Sequence, residues 1–426
     1  MACRGMFKFC QAIFFALWDL AGVCLLPGLM AYGFWRLKKG KELSGRLKER
    51  FGFLSPEQRA FFCTASQKKV WLHAASVGET LSAFPLIDAL LESDKKLDVI
   101  LTTMTITGYQ IVRSHPAYGK RLIHAFLPYD TPLGRTLFLN HWAPSGAVFI
   151  ESEIWPGIPR ECARRHIPFM LVNARLSEHS ARNWSHFRMI LQAILAPARW
   201  IIPRDTGDQR QFQKLGIPVL DPIGDLKADA APLKADPMQL ASLQAKLGNR
   251  PIFVALSTHE GEEEIIIAAL KEARTKEPEL LGVIVPRHPE RGATLAAQFN
   301  APRRSLGEFP TLADTLWIID TLGEVGLFLN LAQSAFIGKS LCLPGGGHNP
   351  FEPLKAGCRT ACGPYMSNWD DSCFHLRDYL TVLKTDAAIA KWITEDRIPP
   401  VPYVFEKKNL SFRLACQILT TISDNK

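Results

Sequence analysis

The fold is decided by Val70-Trp71-Leu72-His73-Ala74-Ala75-Ser76-Val77-Gly78-Glu79-Thr80, where a short apolar run passes directly into small, turn-forming residues. This pattern predicts a buried parallel strand over 70–74, a turn at 76–78 and a helix over 80–91. Glu79 would then stand where the helix begins, and the helix dipole favours a carboxylate there. Open α/β sheets bind their ligands at the carboxyl ends of the strands, so Glu79 is also a candidate general base.

Length and composition indicate a folded protein with two domains. The chain has 426 residues, of which 47% are apolar and 21% charged, and this is enough for two cores of ordinary size. Its formal net charge of +9 favours an anionic partner such as a nucleotide, a nucleic acid or an acidic membrane surface. The ten cysteines have no metal-finger spacing, which argues for reduced thiols in a cytosolic compartment rather than for a disulfide framework or a structural zinc.

The N-terminal segment differs in kind from the rest of the chain. Residues 9–35 are mostly apolar and aromatic, with basic residues on both sides and the heavier basic cluster after them. The segment is long enough to span a bilayer or to lie in its surface, and it lacks a small-residue cleavage site, so we expect a retained anchor. The basic cluster places the main body in the cytoplasm. Asp19 and Pro27 are unusual in a spanning helix, and a buried N-terminal helix is the alternative.

Strands alternate with helices in two successive stretches of the sequence. Apolar runs predict strands at 97–103, 122–127, 147–150 and 168–173, and then at 252–256, 281–285, 316–319 and 335–338. Such alternation implies parallel sheets that are covered on both faces. A polar linker near residues 222–238 separates the two stretches, so we expect two α/β domains that face a cleft.

Two turns in the second half are suited to a nucleotide. Pro286-Arg287-His288-Pro289 is a rigid, basic turn at a strand end, which suits a phosphate oxyanion, with a surface salt bridge for Arg287 as the alternative. The stretch 345–353 has three glycines for close backbone approach, a helix start that suits a phosphate, and Glu352 for ribose hydroxyls; a flexible loop is the alternative. Neither a Walker A motif nor a zinc-protease motif is present, because the required Lys-Ser/Thr pair and second His are missing.

A collinear series of motifs runs through the chain. It comprises Leu72-His73-Ala74-Ala75-Ser76-Val77-Gly78-Glu79-Thr80, Thr102-Thr103-Met104-Thr105, Leu127-Pro128-Tyr129-Asp130, Glu151-Ser152-Glu153-Ile154-Trp155-Pro156, Asn173-Ala174-Arg175-Leu176-Ser177, Ser257-Thr258-His259-Glu260-Gly261-Glu262, Pro286-Arg287-His288-Pro289-Glu290-Arg291 and Gly346-Gly347-His348-Asn349-Pro350. In this order they resemble the 3-deoxy-D-manno-octulosonic acid (Kdo) transferases of Gram-negative bacteria, a family of lipid A biosynthesis. The resemblance covers nearly the whole chain, including the N-terminal segment.

The resemblance implies an α/β architecture of the GT-B glycosyltransferase fold, with two Rossmann-like domains facing a cleft and an N-terminal membrane-anchor helix. The implied domains are a membrane anchor over 1–40, an acceptor domain over 41–222 and a CMP-Kdo donor domain over 223–426. The implied reaction is an inverting transfer of Kdo from CMP-Kdo to a lipid A precursor in lipopolysaccharide core biosynthesis. It would take place on the cytoplasmic face of the bacterial inner membrane, contacted through residues 9–35, with no metal, no further cofactor and no nucleic acid.

The resemblance also implies roles for individual residues. Glu79 would accept the proton of the attacking sugar hydroxyl, Glu151 would stabilise or orient the sugar, and Lys227 would meet the negative charge of the donor. The CMP contacts of the family fall on Pro286, Arg287, Leu322, Gly323, Glu324, Asn349, Pro350, Phe351 and Glu352. Two rivals remain, a GT-B-like nucleotide-sugar epimerase that would need no anchor and a non-catalytic membrane protein that binds a nucleotide sugar.

Overall fold

The computed structural model describes residues 2–62, 68–222, 224–395 and 409–425. It divides the chain into two compact units, the first formed by Met1–Ala230 with Glu406–Lys426 and the second by Ala231–Phe405. Residue 223, where the sequence predicts that the donor domain starts, lies outside the described residues. The division also differs from the linear one expected from the sequence, because the C-terminal segment joins the first unit.

The first unit is built on a parallel sheet. Its strands are β1 (Lys68–His73), β2 (Leu97–Thr103), β3 (Leu122–Phe126), β4 (Gly146–Ile150), β5 (Phe169–Ala174) and β6 (Ala198–Pro203). They lie in the order β3-β2-β1-β4-β5-β6 and pair in parallel. Because β1 pairs with β2 on one side and with β4 on the other, the carboxyl ends of these three strands are neighbours.

Helices surround this sheet. They are α1 (Ala2–Cys24), α2 (Leu26–Lys38), α3 (Pro56–Phe62), α4 (Val77–Ser93), α5 (Ile106–Arg113), α6 (Pro132–Trp142), α7 (Gly157–Arg164), α8 (Glu178–Ser185), α9 (Arg188–Leu195) and α10 (Thr206–Lys214), with 3₁₀ helices at Ser44–Phe51 and Leu226–Ala228. Helices α1 and α2 pack on other helices of the unit rather than on the strands. Successive side chains of β1 enter different layers: Val70 and Leu72 pack in one core and Trp71 packs in the other. This double burial explains why the strand has a continuous apolar sequence.

The second unit repeats the architecture. Its strands are β7 (Ile252–Thr258), β8 (Leu281–Pro286), β9 (Leu316–Ile318), β10 (Ser334–Ile337), β11 (Arg359–Cys362) and β12 (Leu380–Val382). They form a parallel sheet in the order β12-β11-β10-β7-β8-β9. Its helices are α11 (Pro237–Leu247), α12 (Glu262–Ala273), α13 (Gly292–Phe299), α14 (Val325–Leu331), α15 (Phe351–Lys355), α16 (Asp370–His375) and α17 (Asp386–Glu395), with 3₁₀ helices at Pro289–Arg291 and Arg304–Leu306.

The last helix, α18 (Asn409–Ser423), completes the core of the first unit. Leu414, Ala415 and Ile418 are almost fully buried and share one hydrophobic core with α4 and with the strands of the first sheet. The Trp200 indole N–H of β6 donates to Thr421 Oγ1 at 2.9 Å. The domains implied by the sequence place this helix in the donor domain, because a linear division cannot anticipate a segment that returns to the first unit.

The N-terminal helices lie against the first unit. Trp18 donates its indole N–H to Asp130 Oδ2 at 3.1 Å, and Asp19 forms ion pairs with Arg135 and Arg160. Asp19, which is unusual in a spanning helix, therefore has cationic partners in the unit. Within the described residues no single helix has the length and apolar composition needed to cross a membrane. The segments Gln11–Cys24 and Leu26–Lys38 reach that threshold only as a pair, which bends by 56°.

Most predicted strands lie within two residues of their observed positions, but three observed strands were not anticipated. These are β6, β11 and β12. β6 begins with the partly exposed residues Ala198-Arg199-Trp200, and β11 and β12 have only four and three residues. The equally short strands β9 and β10 are almost entirely apolar, whereas β6 and β11 contain an arginine and β11 and β12 a threonine, so these three strands lack the continuous apolar run that a sequence pattern detects.

The packing of α18 predicts that Ile418→Ala lowers the free energy of unfolding of the full chain by about 2–5 kcal/mol, because the change leaves a cavity in a fully buried core. Phe412→Ala is the matched control, since Phe412 lies on the same helix with half of its surface exposed, and it should change stability little. Denaturant unfolding measures both. Equal effects of the two substitutions would contradict the packing described here.

Candidate active site

Glu79 lies in the first turn of α4, immediately after the carboxyl end of β1. Ser76 caps the helix: its hydroxyl accepts from the Glu79 backbone N–H at 3.3 Å and donates to Glu79 Oε1 at 2.9 Å. Glu79 Oε2 accepts from the Ala75 backbone N–H at 2.7 Å. The Ser76 hydroxyl caps the helix and the Glu79 carboxylate binds the backbone just before the cap, so the helix-start interpretation of Glu79 is confirmed as local structure. This arrangement also fixes the carboxylate at the strand edge where a base would be needed.

The surroundings of Glu79 make its carboxylate a stronger base than an ordinary glutamate. Burial raises the pKa of Glu79, and the charges of Glu151 and Glu153 raise it further. The hydrogen bonds from Ala75 and Ser76 act in the opposite direction without cancelling the shift. A base with a raised pKa accepts a proton more readily near neutral pH.

Glu151 follows β4 and forms an ion pair with Lys227. Its backbone has φ = 63°, in the left-handed region that residues other than glycine seldom adopt. Lys227 Nζ donates to Glu151 Oε1 at 2.5 Å, and both side chains are largely buried. Burial alone would lower the pKa of Lys227, but the carboxylates of Glu151 and Asp225 raise it above its ordinary value. The lysine is therefore a fixed positive charge beside the carboxylates.

The turn that carries Lys227 is held against β5. Asp225 caps it by accepting the Lys227 backbone N–H at 2.9 Å, and Asn173 Oδ1 accepts the Leu226 N–H at 3.1 Å. Asn173 itself has φ = 52°, a conformation that asparagine tolerates better than most residues. The structure thus brings Glu79, Glu151 and Lys227 together at one edge of the first sheet.

The other nine predicted residues all lie in the second unit. Pro286 ends β8, and Arg287, whose side chain is exposed, donates its backbone N–H to the Thr258 carbonyl at 3.1 Å. These contacts join the ends of β7 and β8. They leave the Arg287 guanidinium at the carboxyl edge of the second sheet, where the sequence predicts a phosphate contact.

Glu324 is held by neighbouring side chains. It forms an ion pair with Arg304 at 2.6 Å and accepts from the Thr321 hydroxyl. Burial would raise the pKa of Glu324, but these two partners hold it below its ordinary value. Leu322 is 80% exposed and Gly323 has φ = 85°, so the turn before the glutamate presents backbone and an apolar side chain to solvent.

The segment 349–352 begins a short helix as the sequence predicts. Asn349 Oδ1 accepts the Phe351 N–H at 3.1 Å and its amide donates to Glu352 Oε1 at 3.0 Å. Pro350 precedes α15, and the Phe351 ring is buried against Trp369, with ring centroids 6.2 Å apart. Phe351 can therefore offer a ligand its main chain, whereas Asn349 and Glu352 carry the polar side chains.

Glu262 was not anticipated as an organising residue. Its side chain is buried and accepts four backbone N–H groups, from His259 at 3.0 Å, Lys339 at 2.6 Å, Ser340 at 2.6 Å and Leu341 at 2.8 Å. It therefore ties the turn after β7 to the turn after β10. The motif around residue 262 was visible in the sequence, but the partner N–H groups come from a distant segment that no local pattern identifies.

Basic groups collect around these two turns. His259 and His348 approach each other with their Nε2 atoms 3.0 Å apart. Burial, with the neighbouring His259, Arg287 and Lys339, lowers the pKa of His348 to about 3, and burial also lowers the pKa of His259. The lowered pKa values favour neutral rings, in which the Nε2–H of one histidine can donate to the Nε2 of the other. The described part of the chain contains no group of three or more His, Cys, Asp or Glu side chains that could hold a metal ion.

The expected fold class is confirmed in its two Rossmann-like α/β units. A putative UDP-N-acetylglucosamine 2-epimerase from Listeria monocytogenes has a similar fold, with a TM-score of 0.59 and 12% sequence identity over 84% of this chain and 98% of the other. At this identity the likeness concerns the fold alone. The two sheets and their order agree with the GT-B architecture that the sequence predicts.

Relatives in sequence identify the family. The model of the 3-deoxy-D-manno-octulosonic-acid transferase (kdotransferase) family matches residues 45–230. A 3-deoxy-D-manno-octulosonic acid transferase of Rickettsia bellii is 32% identical over 390 residues, which cover 90% of this chain and 89% of the relative. Another, from Haemophilus influenzae, is 34% identical over 334 residues, 76% of each chain. The chain therefore belongs to the 3-deoxy-D-manno-octulosonic acid transferase family and is a glycosyltransferase.

Proposed function

We propose that this transferase moves Kdo from CMP-Kdo onto a lipid A precursor with inversion at the anomeric carbon. The observation that carries the proposal is the Glu79 carboxylate, which is held at a strand edge by Ala75 and Ser76 and has a raised pKa. Membership of the family indicates that the transferred sugar is Kdo. The geometry of Glu79 supplies the base that a direct displacement requires.

The proposed step is a single displacement. A hydroxyl of the acceptor attacks the anomeric carbon of Kdo and forms the new C–O bond while the bond from that carbon to the phosphate oxygen breaks. CMP leaves with the bonding electron pair, and the hydroxyl proton passes to Glu79. The Glu79 carboxylate is already held by hydrogen bonds from Ala75 and Ser76. Its position therefore needs to change little when charge develops in the transition state.

Lys227 and Glu151 have complementary parts in this proposal. Lys227 carries a buried positive charge that can attract the anionic donor, while Glu151 holds the ammonium in position and is itself held by it. The left-handed backbone of Glu151 costs roughly 1–3 kcal/mol, which the surrounding contacts must offset. We propose that Glu151 orients the sugar.

We assign the nucleotide to the second unit. Pro286 and Arg287 would bind the phosphate, the turn 322–324 would contact the nucleoside, and Asn349–Glu352 would present polar groups to the ribose. The exposed Arg287 guanidinium and the polar side chains of Asn349 and Glu352 support this assignment. By the same reasoning, the first unit takes the acceptor and the second takes CMP-Kdo.

The N-terminal helices would attach the enzyme to the cytoplasmic face of the inner membrane through residues 9–35. The outer face of α1 and α2 exposes large apolar side chains, and an exposed basic segment follows; these residues are Ile13, Leu17, Leu20, Val23, Leu25, Met30, Phe34, Trp35, Lys38, Lys39 and Lys41. Such a combination binds a bilayer with anionic lipids. It would also keep the enzyme near a lipid acceptor that carries negative charge.

Glu79→Gln tests the base. We expect the transfer of Kdo from CMP-Kdo to a lipid A precursor, read by mass spectrometry, to fall about 10²–10⁴-fold, because glutamine cannot accept the proton, while the affinity for CMP stays near that of the wild type. Glu92→Gln, an exposed glutamate of the same helix, is the control and should leave activity unchanged. Full activity of Glu79→Gln would remove the base from the mechanism. Epimerisation of a UDP-sugar without Kdo transfer by the wild type would favour the rival enzyme.

The pH dependence of kcat/KM tests the charge at the site. Because the pKa of Glu79 is raised and the base must be deprotonated, activity should fall on acidification at a pH above the ordinary range of a glutamate. In Glu151→Gln one negative neighbour of Glu79 is removed, so this acidic limb should move to lower pH even though the rate is reduced. A limb that stays in place would show that Glu151 does not act on the base.

Sedimentation with vesicles tests the membrane surface. The full chain should sediment with vesicles that contain anionic phospholipid, and Leu17→Glu with Leu20→Glu should weaken this binding at least tenfold by placing charges on the exposed face of α1. Met238→Glu is the control, because Met238 is an exposed apolar residue of the second unit. Unchanged binding of the double variant would exclude this face of α1 as the attachment surface.

A further inference from the structure

Three basic side chains meet at the carboxyl edge of the second sheet. His259 follows β7, Lys339 lies just after β10, and His348 lies in the glycine-rich turn before α15. All three are partly exposed, and in the described part of the chain none of them forms an ion pair. Basic groups without a counter-ion at the end of a parallel strand are suited to bind an anion.

The buried carboxylate beside them is used by the main chain. Glu262 accepts four backbone N–H groups, and two of these belong to His259 and Lys339, at 3.0 Å and 2.6 Å. A carboxylate has about four lone-pair sites, so these N–H groups occupy them. Glu262 therefore holds the backbone of the two basic residues in place and leaves their side chains to a ligand.

The glycine-rich turn brings His348 to the same place. The Gly347 backbone N–H donates to the Lys339 carbonyl at 2.8 Å, which joins this turn to the one after β10. Gly347 has φ = 69°, and a Cβ there would lie 2.2 Å from Met366 Sδ, so only glycine fits. The His348 ring then lies nearly parallel to that of His259, with the two Nε2 atoms 3.0 Å apart.

An anion can replace the contact between the two rings. When one Nε2–H donates to the other Nε2, the pair has a single hydrogen at this point. An oxyanion offers an acceptor to each ring. Its charge also offsets the neighbouring cations of Arg287 and Lys339, which together with burial disfavour the charged form of His348. Both Nε2 atoms can then donate to the ligand.

The proposed donor has two anionic groups, the phosphate of CMP and the carboxylate of Kdo. The carboxyl carbon of this acid and the phosphate oxygen are bonded to the same anomeric carbon, so a carboxylate subsite must lie next to the phosphate subsite. The phosphate is assigned to Arg287. His288, the next residue in the chain, faces His259 with ring centroids 5.9 Å apart. The three basic groups thus lie beside the phosphate site, where the second anion is expected.

We propose that His259, His348 and Lys339 form the subsite for the carboxylate of Kdo, beside the phosphate at Arg287. The assignment rests on the proposed donor, CMP-Kdo. It gives the second unit a means to recognise the sugar as well as the nucleotide, because a CMP-linked sugar without a carboxylate would leave the basic groups without a counter-ion.

Equilibrium binding of CMP-Kdo and of CMP to the full chain, measured by calorimetry without acceptor, distinguishes the carboxylate from the phosphate. His348→Asn keeps a polar side chain but lacks Nε2, and Lys339→Met removes the charge while keeping the length. Each should weaken the binding of CMP-Kdo by about tenfold or more, as expected for a lost hydrogen bond to a charged group, and should leave the Kd of CMP within about twofold. His375→Asn, which changes an exposed histidine of the same unit, is the control and should alter neither.

An equal loss of affinity for the two ligands would assign the basic groups to the phosphate and overturn the carboxylate subsite, and unchanged binding of both would also overturn it. Retained affinity for CMP shows that the variants are folded. Because binding requires no transfer, a selective loss of CMP-Kdo affinity would support the subsite even if the wild type transfers no Kdo. A loss shared by both ligands would overturn the subsite even in an enzyme that transfers Kdo.

Discussion

The ion pair between Lys227 and Glu151 holds the site of the first unit together. It joins two turns that lie 76 residues apart in the sequence, at a distance of 2.5 Å between Nζ and Oε1. Both side chains are largely removed from water. A buried charge that loses its partner costs several kcal/mol, so displacing either turn would leave the charged side chain of the other turn buried and unpaired. Asn173 and Asp225 then hold the backbone of the turn that carries Lys227.

The balance of charge follows from this arrangement. Three carboxylates, those of Glu79, Glu151 and Glu153, gather near the carboxyl edge of the sheet. Lys227 forms an ion pair with Glu151, and the Glu153 carboxylate lies 3.2 Å from the His73 ring. Glu79 has no cation of its own among these groups, and it is the proposed base. A site arranged in this way can bind an anionic donor through Lys227 and still keep a carboxylate with a raised pKa.

The sequence was sufficient for the architecture and for part of the site. Apolar runs such as 97–103 and the turn chemistry of 76–79 are local, so the strands and the start of α4 could be predicted from neighbouring residues alone. The contacts of His73 and Glu262 could not, because their partners Glu153 and Lys339 lie in turns that follow other strands and are brought near only by the order of the sheet. For the same reason the sequence places α18 in the donor domain whereas it packs in the first unit, since nothing in Asn409–Ser423 shows which core will receive its apolar face.

The position of α18 has a consequence for how the chain is made. The first unit is interrupted by the whole second unit, so its core lacks Leu414 and Ile418 until the second unit has been synthesised. At ~5–20 residues per second this delay amounts to roughly 10–40 s. During that interval the apolar flank of α4 has no cover, whereas the second unit, which is continuous in sequence, can complete its fold first. The order of synthesis therefore differs from the order of folding, and a nascent chain of this enzyme would need protection of its first half rather than of its second.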